Sequence, residues 1–292
     1  MLGGAIMVAV LAAAQAAPLP RGELERSCWQ RYTKERTRVN PKEFTAVDFS
    51  NLRHGDAVRT PFTVEFAVRG MGVVPAGTAL PGSGHHHVLI DVPLPINVQE
   101  KIPFSDTHKH FGKGQTHTVL DLPAGSHTLR LLFADHEHRP HYVYSKEITV
   151  YVQGRRGAEP LAIDPNRFDA TCAAWYQDEV SRPRPAGDWL AIANLRDAEV
   201  VTSPFNLRFI VDGHGVSAAG AKVDRTGHFR LEVWRDRQSP QVIDLANGAT
   251  QTNLFLVNGQ YMLRLRFVDR TGQRDLLPPL DQTVVVLGQD RL

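Results

Sequence analysis

The chain has little cysteine and little methionine. Its 292 residues include four methionines and two cysteines, Cys28 and Cys172. Two thiolates so far apart exclude a clustered-cysteine zinc site, and so few thioethers argue against a Cu(I) site. In an oxidising compartment an even pair permits one disulfide, Cys28–Cys172, and two free thiols are the alternative.

The chain also lacks a large excess of either positive or negative charge. The formal net charge is +2 and 22% of the residues are charged, so there is no basic footprint for nucleic acid and we predict no nucleic-acid partner. An apolar content of 42% indicates a folded chain. After the N-terminal segment, no run reaches the roughly 18 apolar residues of a membrane span, so we predict no transmembrane segment in the mature chain.

The N-terminus, residues 1–17, is typical of a secretory signal peptide. Residues 2–13 are apolar and uncharged, and the small-x-small signal AQA ends at Ala16. The segment lacks a basic residue, and a membrane anchor is the alternative, although the apolar run is short for one. We therefore expect an exported protein that is periplasmic or secreted.

The sequence contains an internal repeat of one domain. Residues 51–77 match 194–220 without a gap, and Phe62 and Phe66 align with Phe205 and Phe209. The match continues from 84–91 to 227–234 and, after a nine-residue shortening, from 114–135 to 248–269. A cysteine-bearing lead segment opens each half. We predict a signal peptide at 1–17, a histidine-rich repeat at 23–152, a linker at 153–167 and a degenerate repeat at 168–292.

The strand pattern predicts an all-β fold. Residues 62–68, FTVEFAV, alternate in polarity, and 116–133 read as a hairpin around the turn PAG. Each half holds six or seven short strands in about 110 residues, separated by Gly and Pro, which is typical of immunoglobulin-like domains. We predict two tandem immunoglobulin-like antiparallel β-sandwich domains after the signal peptide. A β-barrel is the alternative.

The histidines are distributed unevenly between the two halves. Ten of the thirteen lie between residues 85 and 141. In the second half His86 is replaced by Phe229 and His87 by Arg230, whereas the apolar pattern is kept. If packing required these histidines, the second copy would require them too. The comparison favours a function for them.

Three His-x-His pairs recur in the first half. Residues i and i+2 of an extended chain point to one side, so each pair can present two imidazoles to one point. Imidazole suits copper and zinc, and we predict a copper or zinc site. His86 lies on the same side as Val88 and Ile90, which favours packing. The predicted ligands are His85, His87, His108, His110, His136, His138 and His141, with Asp106 and Asp135 as residues that orient them.

These segments also carry a resemblance. GHHHVLID, HKHFGKGQTHTVLDLPAGSHTLRLLFADHEHRPH and KEITVYV, within residues 60–152, resemble the bacterial exported family known as domain of unknown function 4399. The resemblance implies a small periplasmic domain with clustered histidines and supplies no activity. The second half departs from the pattern at nearly every histidine, which is typical of a degenerate scaffold copy.

Three functions remain open from the sequence. The favoured one is an exported, non-catalytic binding protein whose first repeat carries a Cu(II) or Zn(II) site. Its partners would be a divalent metal ion and a protein or glycan of the cell envelope. The second is a metal-dependent enzyme with three histidines and an open position, although no HExxH or GxSxG motif occurs and no catalytic residue is predicted. The third is a structural or adhesion-like envelope protein with incidental histidines.

Overall fold

Residues 22–39, 46–236 and 238–289 are described by the computed structural model. The predicted signal peptide lies outside these residues. Two β-sandwiches follow each other along the chain, and the predicted all-β, tandem immunoglobulin-like fold is confirmed. No helix within the described ranges is long and apolar enough to cross a bilayer.

The first sandwich contains ten strands. One sheet has the order β1-β3-β7, and the other has the order β2-β10-β8-β5-β4, with β6 on β5 and β9 on β8. The parallel pairing of β2 with β10 and the split of neighbouring strands between two sheets follow the immunoglobulin arrangement. The strands are β1 (Ala46–Phe49), β2 (Ala57–Thr60), β3 (Phe62–Arg69), β4 (Gly72–Val73), β5 (Ser83–Ile90), β6 (His108–Phe111), β7 (His117–Leu120), β8 (Gly125–Ala134), β9 (Pro140–Tyr144) and β10 (Ile148–Arg155).

The second sandwich repeats this topology. Its sheets have the orders β11-β13-β17 and β12-β19-β18-β15-β14, with β16 on β15. A single bridge between Val268 and Asp275 lies near the place where β9 pairs with β8 in the first sandwich. The strands are β11 (Trp189–Ile192), β12 (Glu199–Ser203), β13 (Phe205–Asp212), β14 (Gly215–Val216), β15 (Thr226–Trp234), β16 (Gln241–Asp244), β17 (Gln251–Leu254), β18 (Gly259–Val268) and β19 (Leu280–Gln289).

The apolar residues of the alternating strands fill each sandwich. Phe62, Val64, Phe66 and Val68 of β3 are at most 3% exposed, and they belong to the same core as the inward residues of β5 and β8. Burial of each such side chain contributes about 1.5–3 kcal/mol. The aligned Phe205 and Phe209 are buried in the same way in the second sandwich. The alternation therefore fixes which face of each strand points inward.

The lead helices are exchanged between the sandwiches. The helices are α1 (Glu23–Arg31), α2 (Thr33–Arg36) and α3 (Phe168–Val180). Asn51 donates from Nδ2 to the carbonyl of Val180 at the end of α3, at 2.9 Å. Its counterpart Asn194 donates to the carbonyl of Arg36 at the end of α2, at 3.0 Å. Each repeat's lead segment therefore packs against the other repeat's sandwich.

Cys28 of α1 and Cys172 of α3 form a disulfide at the centre of this exchange. Both are fully buried, in a small core with Trp29 and Trp175. The first repeat also extends further than the sequence indicated, because β10 continues to Arg155 and enters the predicted linker at 153–167.

Equivalent backbone contacts join the sandwiches in both directions. The amide of Val73 donates to Gly248 at 2.9 Å, and the amide of Val216 donates to Gly114 at 2.8 Å. The close approach requires glycine, because a Cβ on Gly72 would lie 1.8 Å from the carbonyl oxygen of Asn247. The repeats are therefore related by an approximate two-fold axis.

Candidate metal centre

Strand β5 carries three consecutive histidines, His85, His86 and His87, and both faces of the strand are covered. All eight of its residues are buried. His86 points into the sandwich, where its ring centroid lies 5.0 Å from those of Phe66 and Phe133. His85 and His87 point to the outer face, where His87 lies opposite His110 of β6. The triplet thus divides into one core residue and two residues of an outer site, as the alternation predicted.

Four imidazoles converge on this outer face, and we call them the imidazole cluster: His85, His87, His110 and His138. Nε2 of His85 and Nε2 of His87 are 3.1 Å apart. His85, His110 and His138 each offer a ring nitrogen within 4.8 Å of the others. Metal–nitrogen bonds of about 2.0–2.1 Å in a tetrahedral site place ligand nitrogens about 3.3 Å apart. The His85–His87 pair has that spacing, and the other rings need to turn inward to share one ion.

Burial favours the neutral form of His85, His87 and His110. It lowers the pKa of His85 to about 3, with further lowering from His110 and His138. Burial likewise lowers the pKa of His87 and of His110, and neighbouring histidines add to the effect. Neutral imidazole is the form that ligates metal ions.

Several nitrogens of the cluster lack protein partners. Nδ1 of His85, Nδ1 of His87 and Nε2 of His110 are buried without a hydrogen bond. Unpartnered buried polar atoms are uncommon and costly, at about 1–3 kcal/mol each. A cation held by the Nε2 atoms of His85 and His87 could also bind Nε2 of His110, and it would leave the two Nδ1 atoms as they are.

The turn after β8 presents His138. Oδ1 of Asp135 accepts hydrogen bonds from the amides of Glu137 and Arg139, at 2.9 and 2.8 Å. His138 lies within this turn with a φ of 69°, a left-handed conformation that is uncommon for residues other than glycine. Strained residues of this kind occur preferentially at functional sites. Asp135 therefore supports the site through the backbone of the turn.

Two residues near His110 were not identified from the sequence. The ring of Phe104 stacks on His110 with centroids 4.5 Å apart and is 60% exposed, so it covers the cluster on the solvent side. A Cβ on Gly112 would lie 2.3 Å from Cε1 of His110, so glycine leaves space for that ring. The sequence offered one signal for Phe104, which is an aromatic residue four positions before His108.

The remaining predicted residues lie outside the imidazole cluster. Nδ1 of His108 faces the hydroxyls of Ser105 and Thr107, at 3.2 and 3.1 Å. Nε2 of His141 lies 3.2 Å from the carbonyl of Ser83. These contacts direct both rings to local partners.

His136 and Asp106 are also separate from the cluster. His136 is exposed on the turn, where its carbonyl accepts from the amide of Gly77. Asp106 is fully exposed and pairs with Lys109 at 2.8 Å. Neither side chain contributes to the geometry of the cluster.

The second sandwich has an ion pair at the corresponding place. Arg230 lies opposite Asp244 in the register that places His87 opposite His110. Nη2 of Arg230 bonds Oδ2 of Asp244 at 2.8 Å, and Nη1 donates to the carbonyl of Gly272 at 2.7 Å. Gly272 is the counterpart of His138. The second copy therefore holds an ionic network at three of the four positions and keeps one histidine, His228 at the place of His85, 3.0 Å from Oδ1 of Asp244.

A scan of family models matches the chain twice, at residues 64–153 and 207–286, to the family described as Domain of unknown function (DUF4399). The chain belongs to this family. Both matches lie within the sandwiches, and the metal-centre candidate lies in the first. No curated protein matches the chain.

Solved structures resemble the chain weakly. The fibronectin(III)-like modules of Clostridium thermocellum CbhA share 10% identity, with 83% of this chain and 94% of that chain covered and a TM-score of 0.23. A two-domain fibronectin type III segment of chicken tenascin shares 14% identity, with 85% and 99% covered and a TM-score of 0.22.

Proposed function

We propose that the chain is an exported, periplasmic or secreted binding protein whose first sandwich holds one divalent ion, Cu(II) or Zn(II). The convergence of four imidazoles from three separate segments carries the proposal. The second sandwich supports it, because Arg230 and Asp244 form an ion pair there at the positions of His87 and His110. Two immunoglobulin-like sandwiches are also compatible with an envelope structural or binding role.

The donor set supports the choice of ion. Imidazole nitrogen is a preferred ligand of Zn(II) and Cu(II), whereas Mg²⁺ and Ca²⁺ prefer oxygen and Cu(I) prefers sulfur. The His85, His110 and His138 set alone would leave a tetrahedral ion with one open position, as in hydrolytic zinc enzymes. His87, whose Nε2 lies 3.1 Å from that of His85, would fill that position. A closed, four-imidazole site supports binding without catalysis.

Metal loading of the purified mature protein tests the proposal. We expect one Cu(II) or Zn(II) per chain by elemental analysis, and a lower melting temperature after chelation, because an ion that binds only the folded state stabilises it. Loss of residues up to Ala16 or Ala17 in the exported protein, measured by mass spectrometry, tests the export.

The second sandwich supplies a matched variant. The substitutions H87R, H110D and H138G copy Arg230, Asp244 and Gly272, so we expect a folded protein without tight metal binding. The control H108A/H136A removes two histidines outside the cluster and should bind like the wild type. Unchanged binding by the triple variant, or its loss in the control, would contradict the proposal.

A further inference from the structure

A cleft between the two sandwiches is rich in buried arginine. Arg36, Arg53, Arg184 and Arg196 line it together with one carboxylate, that of Glu65. The cleft lies at the helix exchange, beside Trp29 of α1 and Tyr176 of α3, and shares no lining residue with the imidazole cluster.

Two of these arginines are neutralised by partners of their own. Arg36 forms a buried ion pair with Glu199, which also accepts from the indole of Trp29 at 3.1 Å. Arg53 pairs with Glu35. Arg184 and Arg196 have less direct counter-ions, which are Glu65 and Glu179 for Arg184 and Glu199 and Glu179 for Arg196.

Glu65 is a weak counter-ion for this pair. Its Oε1 lies 3.5 Å from Nη2 of Arg184, and burial raises the pKa of its carboxyl. Glu179 is near enough to act on Arg196 and Arg184, but it also lies 3.9 Å from Arg182, and burial raises the pKa of its carboxyl as well. The two guanidinium groups therefore depend partly on carboxyls whose charged forms are disfavoured by burial.

Arg184 and Arg196 keep unused donors in the cleft. Nη1 of Arg184 and Nε of Arg196 are buried without a hydrogen-bond partner. The Arg184 side chain is 9% exposed and the Arg196 residue 5%. Nη1 of Arg196 reaches only the carbonyls of Ala193 and Leu195, at 3.3 and 3.4 Å.

The two arginines also repel each other. Burial, followed by repulsion from Arg184 and Arg36, lowers the pKa of Arg196 to about 10. A guanidinium still carries its charge at neutral pH, so the cleft stays positive. A buried charge without a partner is costly, and a bound anion would remove that cost.

We propose that this cleft binds a small oxyanion, of phosphate, sulfate or carboxylate type, through Arg184 and Arg196. The planar N–H fork of arginine matches two oxygens of such groups. Arg184 follows α3, which packs on the first sandwich, and Arg196 precedes β12 of the second. A bound anion would therefore connect the two halves of the molecule. The site is independent of the proposed metal centre.

Anion titration of the purified full chain tests this proposal. Phosphate, sulfate and acetate are added separately at constant ionic strength, with chloride as the background, in the presence of a chelator. At least one of them should bind saturably by calorimetry and, at about 100-fold over its Kd, raise the melting temperature by on the order of 5 °C. The guanidinium carbon of Arg196 lies 4.3 Å from the Trp29 ring centre, so tryptophan fluorescence gives a second readout.

Three variants and one control decide the assignment. R184Q and R196Q should weaken binding about tenfold or more, whereas R155Q, at a 75% exposed arginine, has the same charge change and should bind normally. E65Q removes the competing carboxylate, so it should bind the anion several-fold more tightly, a gain that misfolding cannot produce. Equal, unsaturable effects of all salts, or binding that E65Q fails to strengthen and R184Q and R196Q fail to weaken, would overturn the proposal.

Discussion

His138 and Gly272 occupy equivalent turns of the two sandwiches and share one backbone conformation, with φ angles of 69° and 72°. In each turn an aspartate, Asp135 or Asp269, accepts hydrogen bonds from backbone amides two and four residues later. The conformation belongs to the turn and favours glycine, which only the second copy has. A histidine is therefore held in the first copy at a cost of about 1–3 kcal/mol.

Replacing this residue separates metal affinity from stability. We expect H138G to leave the unfolding free energy of the metal-free protein unchanged or higher by about 1 kcal/mol, because it relieves the left-handed strain. Affinity for Cu(II) or Zn(II) should fall about tenfold or more, since one ligand is lost. Urea denaturation and a competition titration measure the two quantities.

H136G is the matched control for this prediction. His136 lies on the same turn, and its side chain is exposed. The H136G variant loses the same side-chain atoms as H138G but keeps all four members of the imidazole cluster. Its affinity for Cu(II) or Zn(II) should therefore equal that of the wild type. A comparable loss of affinity in both variants would assign the effect to the turn and not to the imidazole of His138.

Part of the site could be predicted from spacing alone. The i, i+2 rule correctly places His85 and His87 on one face and His86 on the other. The same rule grouped His108 with His110, but β6 is paired so that His108 lies opposite Leu89, about 6.6 Å along the strand from the position opposite His87. Spacing gives the face of a strand, whereas the register between strands decides which residue reaches the site.

The sandwiches were predictable and the helix exchange was not. Alternating apolar residues such as Phe62 and Val64 identify strands and their inner faces from local sequence. The lead segments show only that Cys28 and Cys172 head each repeat. The choice of sandwich for α1 and α3 depends on contacts across about 130 residues or more, such as Asn51 with Val180, which periodicity does not encode.

Acidification should destabilise the protein partly through His117. Burial lowers the pKa of His117 to about 4, although Asp212, 3.6 Å away, acts in the opposite direction. An unfolded chain binds a proton at this residue near pH 6.5, and the folded chain does so only near pH 4. Between those values stability falls with decreasing pH, by about 1.4 kcal/mol per pH unit from this residue.

H117Q, which copies the aligned Gln251, tests this linkage. The variant has no proton to bind, so its urea midpoint should fall less steeply than that of the wild type between pH 6.5 and 4. The histidines of β5 are present in both proteins, and their contribution cancels in the difference. A constant difference in stability across this range would contradict the assignment.

Asn51 and Asn194 each bond a helix end of the other repeat, so replacing either one should loosen that helix end. Asn51 bonds the last carbonyl of α3, and Asn194 bonds that of α2, so N51A should increase hydrogen exchange at residues 176–182 and N194A at residues 33–37. Each substitution leaves buried carbonyls without a donor, at a cost of about 1–3 kcal/mol.

Because the disulfide joins α1 to α3, the helix pair stays attached in both variants and only the contact with one sandwich is lost. The two variants are matched controls for each other, and faster exchange of the helix of the same repeat would show that the helices are not exchanged in solution.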